Sequence, residues 1–180
     1  MGWKSGSRRY GAVAMAMHWV TAAAILGLLV SGLTMAEMAG ADPAKQSIVR
    51  THVVIGAFVV LLTLLRIGWW AFADRRPDEA APQPLWQAWA AWAVHRLFYV
   101  VIALMGASGV ATIVLSGSAT VLFGGAAGPL PDFMQYPPRL AHGLFAWVMM
   151  ALVAIHVAAA LYHQFVLRDR LLARMGLGRT

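Results

Sequence analysis

Six histidines are the residues of this 180-residue chain whose type and spacing could do chemistry: His18, His52, His95, His142, His156 and His163. Three of them stand on one apolar stretch, Leu140 to Leu167. As a helix rising about 1.5 Å per residue, that stretch spans about 42 Å. The hydrocarbon core of a bilayer is only about 30 Å thick. His142 and His156 are 14 residues apart, so they share nearly one helix face at levels about 21 Å apart. His163 is two turns further on. Imidazoles bind metals and relay protons near neutral pH. One such side chain in an apolar run is as well explained by a structural hydrogen bond. Six of them, at a cost the bilayer imposes on ionisable groups, point to function.

The elements that position them are membrane spans. The chain is 61% hydrophobic and 12% charged, which is not the composition of a soluble domain. A single membrane domain over residues 1–180 is the economical reading. The sequence has no cysteine. That excludes thiolate-ligated haem, covalent c-type haem, cysteine-held iron–sulfur clusters and disulfides. A net charge of +7 would suggest nucleic acid in a soluble protein. In a membrane protein, cations at span ends set topology instead, and no nucleic-acid partner is expected.

Four spans are expected, at about 12–36, 51–73, 88–115 and 140–167. The first follows a short basic start and is too long for a signal peptide. Residues 37–47 read as a polar turn with Asp42-Pro43. Trp69-Trp70 and the tryptophans at 86–92 form interfacial belts. Residues 74–84 are charged and proline-rich, hence a loop. Residues 116–138 form the longest connection, and 168–180 a cytoplasmic basic tail. Lys4, Arg8, Arg9, Arg75, Arg76, Arg168, Arg170, Arg174 and Arg179 fall on one side, against Lys45, Arg50 and Arg139 on the other. The positive-inside rule then puts both termini in the cytoplasm. In a bacterium the other side is the periplasm, and the chain is a multi-pass protein of the inner membrane.

This topology matches His18 in depth with His156, toward the cytoplasm, and His52 with His142, toward the outside. Zinc or copper would want more ligands, with carboxylates or thiolates near, and the spans carry no acid. Two facing histidines per level and nothing else are what a bis-histidine haem requires, because the porphyrin supplies the other nitrogens. Gly27, Gly32, Gly56, Gly106, Gly109 and Gly143 allow close helix packing. Gly56 and Gly143, beside His52 and His142, could also make room for a macrocycle. Arg66 lies 14 residues after His52, at the inner level. It could pair with a haem propionate or snorkel to the interface. Arg50 and Arg139 precede the outer histidines and could serve the outer haem or the headgroups.

At these residues the chain resembles the bacterial cytochrome b561 family of di-haem membrane proteins. The resemblance rests on Met17-His18-Trp19, on Thr51-His52 with Gly56, and on His95-Arg96-Leu97-Phe98-Tyr99. In the fourth span it rests on Ala141-His142 and on His156 through the alanines to Leu161 and His163. Similarity runs over nearly the whole chain. It looks nearest to the branch that includes superoxide:ubiquinone oxidoreductases. One departure is Met105-Gly106, where many members have a proline.

The resemblance implies an all-α, integral membrane four-helix bundle binding two b haems. Their axial iron ligands would be His18 with His156 and His52 with His142. It further implies ubiquinone as acceptor near the cytoplasmic haem, with His95 and His163 forming a quinone and proton site. Two uses remain. One is an enzyme oxidising periplasmic superoxide, with Arg50 and Arg139 attracting the anion locally. The other is an electron-transfer subunit docking a dehydrogenase or another periplasmic redox protein, with residues 116–138 as a docking surface. A haem-free four-helix transporter is the remaining, weaker reading.

Overall fold

A computed structural model describes residues 2–39, 42–78 and 84–178. Among them all regular structure is helical: α1 (Ala12–Glu37), α2 (Pro43–Gly68), α3 (Leu85–Leu115), α4 (Ala119–Phe123), α5 (Pro137–Tyr162) and α6 (Leu171–Arg174). π turns extend α2 through Trp69–Ala73 and α5 through His163–Leu167. A 3₁₀ turn, Phe133–Gln135, precedes α5. With those extensions, four helices are long and apolar enough to cross a membrane. They are apolar all round, as a lipid-facing helix must be. Large side chains such as Val30, Leu64, Val114 and Trp147 stay exposed along them.

One boundary needs correction, and two segments carry structure that the sequence did not reveal. The polar turn ends sooner than Ser47, because α2 already starts at Pro43. Proline suits the first helical position. The Asp42 carboxylate accepts the Ala44 amide at 2.8 Å, and Lys45 Nζ donates to the Met38 carbonyl at 2.9 Å. Residues 40 and 41 of that turn, and 79–83 of the next loop, lie outside the described residues. The long connection is not bare loop, since it holds α4, whose Leu122 and neighbouring Ser118 are fully buried. The basic tail is not a plain extension either, since it folds into α6 and buries Ala173.

The chain clusters into two compact units. One comprises Met1–Ala22, Leu62–Tyr99 and Ala151–Thr180; the other comprises Ala23–Leu61 and Val100–Met150. The core of the first includes Ala14, Met15, Met17 and Leu152. The tail locks onto the N-terminal segment within it. The Tyr10 amide donates to the Arg174 carbonyl at 3.2 Å. Arg174 Nε donates to the Arg8 carbonyl at 2.9 Å, and a second guanidinium nitrogen of Arg174 reaches the Asp78 carbonyl. Trp19 Nε1 donates to the Met175 carbonyl at 2.9 Å. Gly176 turns the chain there with φ +91°, and a Cβ on it would stand 3.1 Å from Met15 Sδ.

The core of the second unit includes Val59, Val101, Ile102 and Met149. Its helices meet closely at Gly106, where a Cβ would come within 2.7 Å of Val60 Cγ2. Valine is stiff at χ1, so it cannot swing clear cheaply. Hydrogen at this position lets α2 and α3 approach.

Asp74 anchors the first unit just past the end of α2. Burial opposes its charge. The Ser5 hydroxyl at 2.8 Å, the Ser5 and Arg75 amides, and Trp69 Nε1 outweigh that and hold the carboxyl below its usual range. A depressed folded-state pKa contributes stability in full above the unfolded value of about 3.9. That contribution is lost as pH falls through the lower folded value. Asp74→Asn should therefore unfold at a lower temperature than the parent at pH 7, with the gap closing below about pH 4. Thermal unfolding in detergent across that range is the measurement, and equal curves at pH 7 would refute the anchor.

Candidate functional site

All six histidines sit on α1, α2, α3 and α5 or on the π turn closing α5. In the second unit, His52 on α2 and His142 on α5 face one another with ring centroids 6.2 Å apart and planes at 64°. Each ring is held from behind. His52 Nδ1 is 2.9 Å from Ser31 Oγ on α1. His142 Nδ1 is 3.1 Å from the Met105 carbonyl and 3.1 Å from Ser108 Oγ, both on α3. The next residue in each case is glycine. A Cβ on Gly32 would stand 3.7 Å from His52 Cε1, and one on Gly109 would stand 3.4 Å from His142 Cε1. Two Ser-Gly pairs thus offer a hydroxyl and a close approach to the two imidazoles.

Arg139 lies one turn before His142, and its charge reaches both rings. Its guanidinium passes over Gly143, 3.1 Å from where a Cβ would be. Arg50 is exposed and, among the described residues, makes no hydrogen bond or ion pair. The structure thus separates two arginines that the sequence treated alike.

In the first unit, His18 on α1 and His156 on α5 stand 6.1 Å apart, centroid to centroid, at 56°. His156 is also met edge-on by His95 at 5.4 Å and Phe98 at 5.6 Å, both from α3. His95 Nδ1 is 2.6 Å from the Ala91 carbonyl. A carbonyl only accepts, so Nδ1 carries the hydrogen and Nε2 is left as an acceptor. His95 remains on an exposed face. Arg66 is close enough for its charge to reach His18, His95 and His156. Its Nε is buried and, among the described residues, has no hydrogen-bond partner.

His163 opens the π turn and contacts Asp169 through Nδ1. Asp169 also accepts the amide of Leu171, the first residue of α6, at 3.1 Å. It is flanked by Arg168 and Arg170, both at positive φ, 56° and 58°. Among the described residues no three histidine, cysteine or acidic side chains group to hold a metal ion.

The model of the prokaryotic cytochrome b561 family matches residues 9–178. The chain belongs to the prokaryotic cytochrome b561 family. It is 26% identical to cytochrome b561 homolog 2 of Escherichia coli K12, over all of this chain and 97% of the relative. It is 31% identical to cytochrome b562 of Cereibacter sphaeroides, over 92% of this chain and 94% of the relative. Cytochrome b561 homolog 1 of Escherichia coli K12 is 28% identical over 93% and 96%. No solved structure matches the chain. As a cytochrome b561 it is a membrane electron-transfer protein that binds haem b, and its exposed helix surfaces meet membrane lipid.

Sequence reasoning passed over Ser31, Ser108 and Asp169. The two serines announce themselves only as Ser-Gly pairs on the first and third spans, a pattern that membrane helices also use for packing. Asp169 was hidden in a segment read for its positive charge.

Proposed function

We propose that this cytochrome carries two b haems, one held by His52 and His142 and the other by His18 and His156. The observation that carries the reading is the ring separation of the two pairs, 6.2 and 6.1 Å. Imidazoles bound through nitrogen on opposite sides of one metal ion put their centroids roughly 6 Å apart, for metal–nitrogen bonds of about 2.0 Å. The 5.4 Å between His95 and His156 is short of that, which favours His18 as the partner. The Nδ1 contacts of His52 and His142 leave Nε2 for coordination, the usual arrangement of a ligating histidine. The orphaned Arg66 Nε suits a propionate oxygen.

Haem b supplies reversible one-electron storage at each pair. The protein moves electrons across the inner membrane between the periplasmic side and ubiquinone, with both termini cytoplasmic. The donor is superoxide: two superoxide anions each lose one electron and leave as dioxygen. One ubiquinone takes both electrons and two protons. Arg139 supports this reading, because its charge lies where an anion would approach His52 and His142. His95, on an exposed face with Nε2 free to accept, is placed for a ligand that arrives through lipid. Nε2 of His95 accepts from a quinol hydroxyl, and either this imidazole or that of His163, after taking up a second proton, donates to a quinone oxygen and passes the proton to it.

The test is the purified chain alone with an enzymatic superoxide source and a ubiquinone analogue. Haem absorbance should shift to the reduced form without any partner protein, and superoxide dismutase should abolish the shift. Reduction only after adding a redox protein would replace superoxide by a docked partner. The side chains of Phe123 and Met134, 52% and 57% exposed, would then be its first contacts.

A further inference from the structure

The two imidazole pairs differ in what stands behind them. At His142, the Met105 carbonyl can only accept, so Nδ1 must carry the hydrogen. Ser108 has its one hydroxyl proton engaged by the Leu104 carbonyl at 2.7 Å, with the Met105 carbonyl at 3.1 Å. Its oxygen is thus a second acceptor for Nδ1–H. At His52, the Ser31 hydroxyl donates to the Leu28 carbonyl at 3.1 Å. Its oxygen then accepts from His52 Nδ1 at 2.9 Å. His142 is fixed in the tautomer with Nε2 bearing the lone pair, and His52 takes the same tautomer with the Ser31 hydroxyl turned to Leu28. His18 and His156, among the described residues, have no such hydrogen bond at either ring nitrogen. What stands near them is the cationic Arg66.

We propose that Ser31 and Ser108 are positioning residues that hold the Nδ1–H of His52 and His142 and thereby lower the midpoint potential at that pair relative to the other. The inference rests on the reading of His52 and His142 as axial ligands. An Nδ1–H bonded to oxygen pushes electron density into the ring and makes Nε2 a stronger donor. A stronger donor stabilises the oxidised iron, and hydrogen bonding around the ligands is one of the protein's levers on potential. The other pair lacks that push, and since each pair has a guanidinium near it, Arg66 at one and Arg139 at the other, the hydrogen bonds carry the difference. The difference makes the His18–His156 pair the electron sink. Gly32 and Gly109 adjoin the same rings, and an added Cβ at either would already be in van der Waals contact with the imidazole that the serine before it holds.

Redox titration of the purified full chain, followed by absorbance and by electron paramagnetic resonance, tests this. The variants are Ser31→Ala, Ser108→Ala, their combination, and Ser31→Thr and Ser108→Thr. The combined alanine variant should favour reduction at the His52–His142 haem about 10-fold, a rise of about 59 mV for one electron. Its low-spin signal should shift. The other haem should keep its potential, and the threonine variants should behave as the parent. Loss of that one haem from an alanine variant, with retention in the threonine variant, supports the same role. Unchanged potentials with both haems present overturn the inference, and so does an equal movement of both. His52→Ala run alongside separates the two layers. If it still binds both haems, the ligand reading itself fails. If it loses one while the serine variants are silent, only the role of the serines fails.

Discussion

Alanine at His52 or His142 is expected to halve the haem content of the protein, from two per chain to one. The same loss, of the other spectral component, is expected at His18 or His156. Among the described residues, nothing near either pair is poised to substitute for the missing imidazole. In the second unit the groups around His52 and His142 are hydroxyls, a carbonyl and Arg139, none of them a haem iron ligand of the usual kind. In the first unit His95 is a nitrogen donor in contact with His156. Its ring centroid is 5.4 Å from that of His156, short of the roughly 6 Å that two imidazoles on opposite sides of one iron require, so it is not poised to replace His18. Pyridine haemochrome analysis gives the stoichiometry, and low-temperature spectra say which component is missing. A parent with one haem per chain would count against the pairing. So would His52→Ala and His18→Ala erasing the same component.

His163→Ala is expected to keep both haems and to slow reduction of a ubiquinone analogue on the order of 10²-fold, the scale of a lost proton-transfer group. Asp169→Asn should act in the same direction, because it removes the carboxylate that holds His163 Nδ1. With that nitrogen engaged, Nε2 is the one left to exchange a proton. The backbone marks the place as well. A π turn begins at His163, and such insertions are frequent at functional sites. Two arginines beside Asp169 adopt a left-handed conformation that costs about 1–2 kcal/mol per residue. Backbone strain of that kind clusters at functional sites. His95→Ala should slow turnover less. Normal steady-state rates in the doubly substituted protein would remove both histidines from quinone chemistry, and loss of a haem from either single variant would reassign it as a ligand.

What the sequence alone determined follows from patterns that are local or additive. Long apolar runs with no acid inside them must be helices that cross a bilayer, because unpaired backbone groups are intolerable there. The periodicity of 3.6 residues put His142 and His156 on one face of one helix before any neighbour was known. The family was legible for the same reason, since its motifs are contiguous, such as Met17-His18-Trp19 and His95-Arg96-Leu97-Phe98-Tyr99. Tertiary structure alone decided what surrounds each imidazole. Ser31 meets His52 across 21 positions of sequence, and Ser108 meets His142 across 34. No local pattern distinguishes those serines from Ser116, whose hydroxyl contacts, among the described residues, are with Ile113 and Ser118, two or three positions away. Arg50 and Arg139 looked equivalent by spacing, yet helix rotation turned only one of them toward the rings. Asp169 acquired its role because a π turn and two left-handed residues fold the chain back on His163. Spacing fixes depth along a helix axis, but azimuth and partner depend on how helices pack.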